Sequence, residues 1–357
     1  RMKPFSKSKI LCIGDIILDS YIQGNIERIS PEAPIPIFKL GTESYVLGGA
    51  GNVARNVTAG GGECHLISVV GNDSDNKILG KLIKNEKDLS SDLISVIKRK
   101  TTKKQRYISG QHQVLRVDEE NDEPINSIVE KKVFQTIEKM IKNFNVVIIS
   151  DYNKGMLTAS LVQKIIILSR KYNKPIIVDP KRDSFEIYKG ATILTPNLNE
   201  LYNATKREFK NKIETSEINN IDFLSRKLIN KFNFNSIITT RSVNGMSVII
   251  KNKKQKNLSS EALEVFDVSG AGDTVVAYLS LGISVGNDIE SSARMANQAA
   301  GIAVGKFGTA SVNFNELLKL NSKVNKVMSL SKIKRKIKSL KNKKIGFTNG
   351  CFDLIHS

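Results

Sequence analysis

The chain has 357 residues, 40% of them hydrophobic and 25% charged, enough for one large α/β domain with an attachment and unlike a disordered or collagen-like polymer. No run approaches the ~18 uninterrupted apolar residues of a spanning helix, and no charged start followed by an apolar stretch marks the N-terminus, so a soluble, cytoplasmic protein with no membrane partner is expected. The formal charge of +20 invites a nucleic-acid reading, but eleven basic residues and no acidic one lie between 319 and 344, which places more than half of the excess in one segment.

Lys dominates that charge, with 42 Lys against 13 Arg, and Trp is absent, whereas base-edge readout and stacking favour Arg and aromatic partners. A solvated basic linker is expected, and no nucleic acid. Arg1 precedes Met2, so the first residue is not read as a native initiator. Cys12, Cys64 and Cys351 fit neither a disulfide framework nor a zinc site and are expected as buried or incidental thiols.

Apolar runs bounded by turn residues at 10–13, 146–149, 176–178, 193–194, 237–238 and 248–250 predict strands. Between them, apolar residues three and four apart over 129–141, 161–169 and 221–232 predict helices. Such alternation argues a mainly parallel sheet covered on both faces, an α/β/α sandwich whose ligands bind at the carboxyl ends of the strands. Those ends are Gly14-Asp15, Ser150-Asp151, Asp179-Pro180, Thr195-Pro196-Asn197 and Thr240-Arg241.

Residues 34–47 and 101–118 alternate in polarity without an intervening helix and are expected to form a small antiparallel flap over the site. Ile333, Ile337 and Leu340 make a thin apolar stripe in the basic segment, the pattern of a short connecting helix over 319–344. The run 345–350 then resembles the first strand of another domain. No internal repeat stands out.

Three motifs carry chemistry. Val268-Ser269-Gly270-Ala271-Gly272-Asp273-Thr274 precedes a helical pattern, so Gly270, Ala271 and Gly272 open a helix whose N–H groups form an anion hole. Asp273 inside that hole either takes a proton from an attacking hydroxyl or is an acidic residue of the kind first helical turns favour. Gly48-Gly49-Ala50-Gly51-Asn52 does not close the first strand, which disfavours a dinucleotide fold, and no phosphate-binding G-x-x-x-x-G-K-[ST] run exists. Its glycines either let the backbone approach a polyhydroxyl ligand or serve tight packing. Asn197-Leu198-Asn199-Glu200 follows a strand, and its Asn and Glu either hold magnesium through water or cap a helix.

Together these motifs, in this order, resemble the ribokinase-type (PfkB) carbohydrate kinase family over residues 9–312. Gly14 to Tyr21, Arg28 to Pro36, Ser150 to Gly155, Asp179-Pro180-Lys181 and Phe266 to Ser269 are most similar to its heptose 7-phosphate kinase branch, which serves ADP-heptose and lipopolysaccharide synthesis. The resemblance implies a ribokinase-like three-layer fold over 1–318, ATP and Mg2+ as cofactors, a sugar phosphate substrate and a homodimer joined through flap elements.

It further implies Asp273 as the catalytic base, and Asn197, Leu198, Asn199 and Glu200 at the ATP site, with Glu200 facing magnesium through water. Thr240, Arg241, Gly245 and Asn297 are expected in the nucleotide pocket, and Asp15, Gly48, Gly49 and Asn52 at sugar hydroxyls. Lys154, Lys181, Arg106 and Arg116 are candidates for the distal phosphate. Arg182 stands where relatives commonly have glycine. Residues 347–356 resemble the opening of a cytidylyltransferase-like domain, whose signature continues to a second histidine beyond Ser357, so adenylyltransferase activity is not expected of these residues. The alternatives are a kinase of another sugar or sugar phosphate, or a non-catalytic nucleic-acid or partner-binding module.

Overall fold

The structure is a computed structural model that describes residues 5–209, 220–262, 265–324, 333 and 337. The chain divides into two units, Arg1–Leu317 and Leu318–Ser357. In the second, Ile333 and Ile337 are helical and exposed. The rest of the basic stretch beyond 324, Cys351 and the run 345–357 lie outside the described residues.

The first unit opens with β1 (Lys9–Gly14), β2 (Ile16–Ile29), β3 (Pro36–Gly49), α1 (Ala50–Ala59), β4 (Glu63–Gly71), α2 (Ser74–Asn85) and β5 (Leu89–Val96). It continues through β6 (Lys103–Ser109), β7 (His112–Glu119), α3 (Ser127–Met140), β8 (Val146–Ser150), α4 (Ala159–Lys171), β9 (Ile176–Asp179) and β10 (Ile193–Leu194). Then come α5 (Leu198–Phe209), α6 (Ile221–Phe232), β11 (Ser236–Thr240), β12 (Met246–Ile250), β13 (Lys256–Leu258), α7 (Ala271–Ser284) and α8 (Ile289–Ala303). Helix α9 (Phe314–Val324) follows.

The main sheet runs β13-β12-β11-β10-β9-β8-β1-β4-β5. Neighbours pair in parallel from β11 to β5, as successive strands returned by helices must. At the other edge β11, β12 and β13 pair antiparallel, because short turns join them and leave no room for a crossover helix.

Alternate residues of each central strand enter opposite cores. Ile10, Cys12, Val146 and Ile148 pack with Val53, Val57, Val276, Leu279 and Ala296 of α1, α7 and α8. Leu11, Ile13, Val147 and Ile149 pack with Val133, Ile137, Leu161, Ile165, Leu224 and Leu228 of α3, α4 and α6. This two-sided burial makes the strands read as unbroken apolar runs, and each fully buried Ile, Leu or Val contributes about 1.5–3 kcal/mol. Cys12 and Cys64 are buried free thiols. Side-chain caps start several helices, among them Asn126 on α3, Thr158 on α4 and Asp288 on α8.

A second sheet, β3-β2-β6-β7, forms the flap. It holds the segments expected over 34–47 and 101–118, and it adds β2 between them, paired antiparallel to β3 and parallel to β6. Strand β2 carries no punctuation in the sequence because Asp15 alone separates it from β1. The chain leaves one sheet and enters the other without a turn.

Candidate active site

The carboxyl ends of β1, β8, β9, β10 and β11 converge with the start of α7. Gly270 caps α7 in the left-handed region (φ 76°), where a side chain is strained, and a Cβ there would lie 2.7 Å from the Asn52 amide nitrogen. The glycine therefore serves both the turn and the close approach of Asn52. Ala271 N–H donates to Val268 O at 3.3 Å, while Gly272 and Asp273 stand in the first turn, whose main-chain donors lack intrahelical acceptors.

Asp273 is buried, and each of its oxygens accepts one hydrogen bond. Asn52 Nδ2 donates to Oδ2 at 2.7 Å and the Tyr152 hydroxyl donates to Oδ1 at 2.7 Å. Burial, reinforced by the negative charge of Asp179, pushes its carboxyl up to about 6, while the bonds from Asn52 and Tyr152 and the charge of Lys181 hold it down. The group is thus ionised at neutral pH and remains a competent proton acceptor.

Asp273 lines a cavity of about 210 Å³ with Tyr152, Asp179, Lys181, Thr195, Asn197, Glu200, Thr240, Gly270 and Gly272. Lys181 Nζ lies 3.1 Å from Asp179 and 3.3 Å from Glu200. Burial pulls this ammonium down, but the two carboxylates outweigh it and raise the group above its ordinary range. Asn197 and Glu200 bond reciprocally across the first turn of α5, Glu200 N–H to Asn197 Oδ1 at 2.9 Å and Asn197 N–H to Glu200 Oε2 at 2.7 Å. This is a capping box, so the capping reading of the motif is met, and both residues also line the cavity.

A second cavity of about 490 Å³ adjoins the first through Asn197, Thr240 and Gly272. Leu198, Asn199, Arg241, Gly245 and Asn297 line it, together with an apolar wall that includes Val243, Val265, Ala300 and Val304. Of the residues expected at the ATP site, all but Glu200 line this cavity, and Glu200 lines the adjoining one. Asn297 Nδ2 donates to Ser259 O at 2.7 Å and Arg241 Nη2 to Asn244 O at 2.8 Å, which fixes the rim.

The residues expected at sugar hydroxyls lie close to Asp273 and Tyr152. Asn52 is fully buried, and its amide holds Asp273 and receives Asn56 Nδ2. The Asp15 carboxylate accepts the N–H groups of Tyr152 and Lys154 at 3.0 and 3.1 Å. Burial and Asp151 push Asp15 up to about 6, and those main-chain bonds hold it down. Neither residue lines the two cavities; Asn52 holds Asp273, and Asp15 holds the main chain at Tyr152. Gly48 admits the Asp19 carboxylate, which would lie 2.2 Å from a Cβ, and Gly49 caps α1 with φ 56°.

The four basic candidates also separate. Lys181 stands among the acidic groups of the smaller cavity, which Asp273 also lines. Arg106 bonds Asp19 at 2.6 Å, Lys154 bonds Glu120 at 2.7 Å and Arg116 bonds Asp118 at 3.0 Å, all three belonging to the flap or the turn beneath it. Arg182 pairs with fully buried Asp151 at 2.8 Å, and the Tyr188 hydroxyl donates to the same oxygen at 2.7 Å. Asp179 and Thr195 are strand ends that the sequence pointed to without assigning them a role, and Tyr152, one residue beyond the Ser150-Asp151 end, was given none either.

Comparison with known proteins bears on the family and the fold. The description "pfkB family carbohydrate kinase" matches residues 7–315. The bifunctional protein HldE of Paramagnetospirillum magneticum is 37% identical over 365 residues, covering 100% of this chain and 73% of the relative. HldE of Aliarcobacter butzleri is 41% identical over 361 residues, covering 98% and 74%. Arabidopsis thaliana ribokinase complexed with ribose and ATP superposes with a TM-score of 0.66 at 18% identity, covering 88% of this chain and 98% of that one. Phosphofructokinase-2 from Escherichia coli gives 0.69 at 17%, covering 89% and 99%. The two structures establish a shared ribokinase-like fold. With a family match across the whole first unit and relatives above one third identity over the full length, the chain belongs to the pfkB family of carbohydrate kinases.

Proposed function

We propose that this chain transfers the γ-phosphoryl group of ATP to the anomeric hydroxyl of D-glycero-β-D-manno-heptose 7-phosphate, giving the 1,7-bisphosphate for ADP-heptose and lipopolysaccharide core synthesis. The observation that carries the reading is Asp273, a buried carboxylate in the first turn of α7 with both oxygens held by Asn52 and Tyr152. It takes the proton of the sugar hydroxyl as that oxygen attacks the terminal phosphorus in line, and ADP departs with the electrons of the broken P–O bond. The N-terminus of α7 stabilises negative charge developing on the transferring group.

The larger cavity suits the nucleoside, its valine and alanine wall against the base and its polar rim against the ribose. Glu200 and Asp179 offer hard carboxylate oxygens in the cavity that Asp273 also lines, and among the described residues no group of three acidic, His or Cys side chains is placed to hold a metal ion by itself. That donor set fits a magnesium ion held mainly by triphosphate oxygens, with Glu200 reached through water, and the ion would neutralise phosphate charge. The flap keeps water from the reacting groups.

The heptose assignment rests on the resemblance of residues 28–36 and 150–155 to that branch. A cytoplasmic homodimer accords with two features. Among the described residues no helix is long and apolar enough to cross a membrane, and the flap exposes Ile35, Leu40, Leu115 and Val117. The test is a coupled ADP-release assay on purified protein against heptose 7-phosphate, fructose 6-phosphate, ribose and unphosphorylated heptose. Heptose 7-phosphate should give the highest kcat/KM; a higher value for any other sugar overturns the substrate, and no ADP release with any of them overturns the kinase reading.

A further inference from the structure

Asp15 is a buried carboxylate that lines neither cavity and sits near a second buried acid, Asp151. A negative charge in such a place is unfavourable unless the groups it holds compensate for it. Its main chain is fixed on both sides. Asp15 N–H donates to Ser150 O at 3.2 Å, at the end of β8, and Asp15 O accepts Ala50 N–H at 3.0 Å, at the start of α1. It is also the single residue between β1 and β2, so the carboxylate is mounted where the chain passes from one sheet to the other.

That carboxylate meets the turn after β8. Oδ2 accepts Tyr152 N–H at 3.0 Å and Lys154 N–H at 3.1 Å, and the Met156 N–H acts on the group in the same sense. Three alternate main-chain donors of one turn thus converge on one acid. Arg99 holds the same turn by its acceptors: the guanidinium donates to Lys154 O, to Asn121 O at 3.0 Å and to Glu123 O at 3.1 Å. The turn needs such restraint, because Asn153 (φ 56°) and Gly155 (φ 83°) both stand in the left-handed region, and a Cβ at Gly155 would lie 2.1 Å from Glu123 O. Tyr152 rises from this turn to give its hydroxyl to Asp273 Oδ1 at 2.7 Å. The hydroxyl ends a long, rigid side chain, so a small tilt of the main chain carries it out of bonding range.

We propose that Asp15 is a positioning residue: it holds the main chain at residues 152–156 so that the Tyr152 hydroxyl meets the Asp273 carboxylate, orienting the base for the sugar proton. The inference rests on the kinase reading above and adds a residue that acts through another without touching a reactant. An Asp15 that instead bonds sugar hydroxyls, as the sequence suggests, acts on KM for the sugar, and this separates the two roles.

The test measures kcat and KM for sugar and ATP in wild type, Asp15→Asn, Tyr152→Phe and the double variant. Asn keeps the volume but turns an NH2 group towards main-chain donors, which loosens the turn. Each single change should lower kcat about tenfold, the worth of one hydrogen bond to a charged group, with both KM values within about threefold of wild type. The double variant should also fall about tenfold, because the hydroxyl that Asp15 aims is already gone; independent roles multiply to about 100-fold. A raised KM for the sugar at unchanged kcat, or a multiplicative loss in the double variant, overturns the proposal and leaves the kinase reading intact. Should Asp15→Asn lose its cooperative thermal unfolding, Arg99→Gln loosens the same turn through its carbonyls. It should show the same tenfold loss and the same lack of further loss beside Tyr152→Phe, and a multiplicative loss there overturns the proposal equally. Should wild type prefer another sugar of the panel, the comparison is read on that sugar and only the heptose assignment falls. A wild type that releases no ADP with any sugar overturns the kinase reading and this role with it.

Discussion

Replacing Asp273 by Asn should cripple turnover and, at the same time, stabilise the protein. The carboxyl is pushed from its ordinary 3.8 to about 6 by burial and by Asp179. A shift of roughly two units means that the ionised form costs the fold about 3 kcal/mol. Because the folded pKa lies above the unfolded one, this cost is present in full above about pH 6 and fades as pH falls towards 3.8. Asn cannot ionise and escapes it.

The Asn amide must nevertheless place its NH2 against a donor, since Asn52 and Tyr152 both donate to Asp273; one lost hydrogen bond offsets about 1 kcal/mol. The net gain of about 2 kcal/mol should raise Tm by about 4 °C at pH 8, shrink to nothing at about pH 4.5 and turn into a loss of up to about 1 kcal/mol below that. Turnover should fall about 10²- to 10⁴-fold. Thermal unfolding at several pH values, run beside the coupled assay, reads both quantities. A variant less stable than wild type at pH 8, or a Tm gap that does not change with pH, refutes the electrostatic argument. A kcat within tenfold of wild type refutes the base.

Other outcomes are expected from neighbouring contacts. Tyr152→Phe removes a bond that favours the ionised Asp273, so the acidic limb of the kcat/KM profile should move up by as much as about one pH unit, whereas a purely structural role would leave it in place. Arg182→Gln strips the cation from buried Asp151 and should cost about 3–5 kcal/mol in urea unfolding; a loss below about 1 kcal/mol would mean that Tyr188 and the main chain suffice. Lys181→Met leaves Asp179 and Glu200 unopposed beside the triphosphate site and should raise KM for ATP at least about tenfold, read by initial rates at saturating sugar.

What was legible in the sequence followed from local causes. Strands buried on both faces, such as β1 and β8, are runs of Ile, Val and Leu, and the glycines that open α7 announce their own turn. Strand β2 was hidden because half of it is buried and half alternates in exposure, and because no breaker separates it from β1. The antiparallel sense of β12 and β13 depends on pairing across the sheet edge, which a strand's own residues do not encode. At the site, Asn197 and Glu200 are three apart and speak together. Tyr152 and Asp273 are 121 residues apart, and Asn52 meets Asp273 across 221. Their partnership exists only once the layers close, which is why the hydrogen bond of Asn52 to Asp273 was not legible in the sequence.

The reciprocal bonding of Asn197 and Glu200 has a consequence for anyone who would retune the enzyme toward a different nucleotide. These two side chains begin α5 and border both cavities, so a change there alters the scaffold together with the pocket. The apolar wall carries no such double duty: Val243 is an exposed residue of a one-turn 3-10 helix, Val265 is an exposed loop residue, and Ala300 and Val304 lie at the end of α8. Selection for a larger or smaller purine should accumulate substitutions on that wall and leave the Asn–Glu pair untouched.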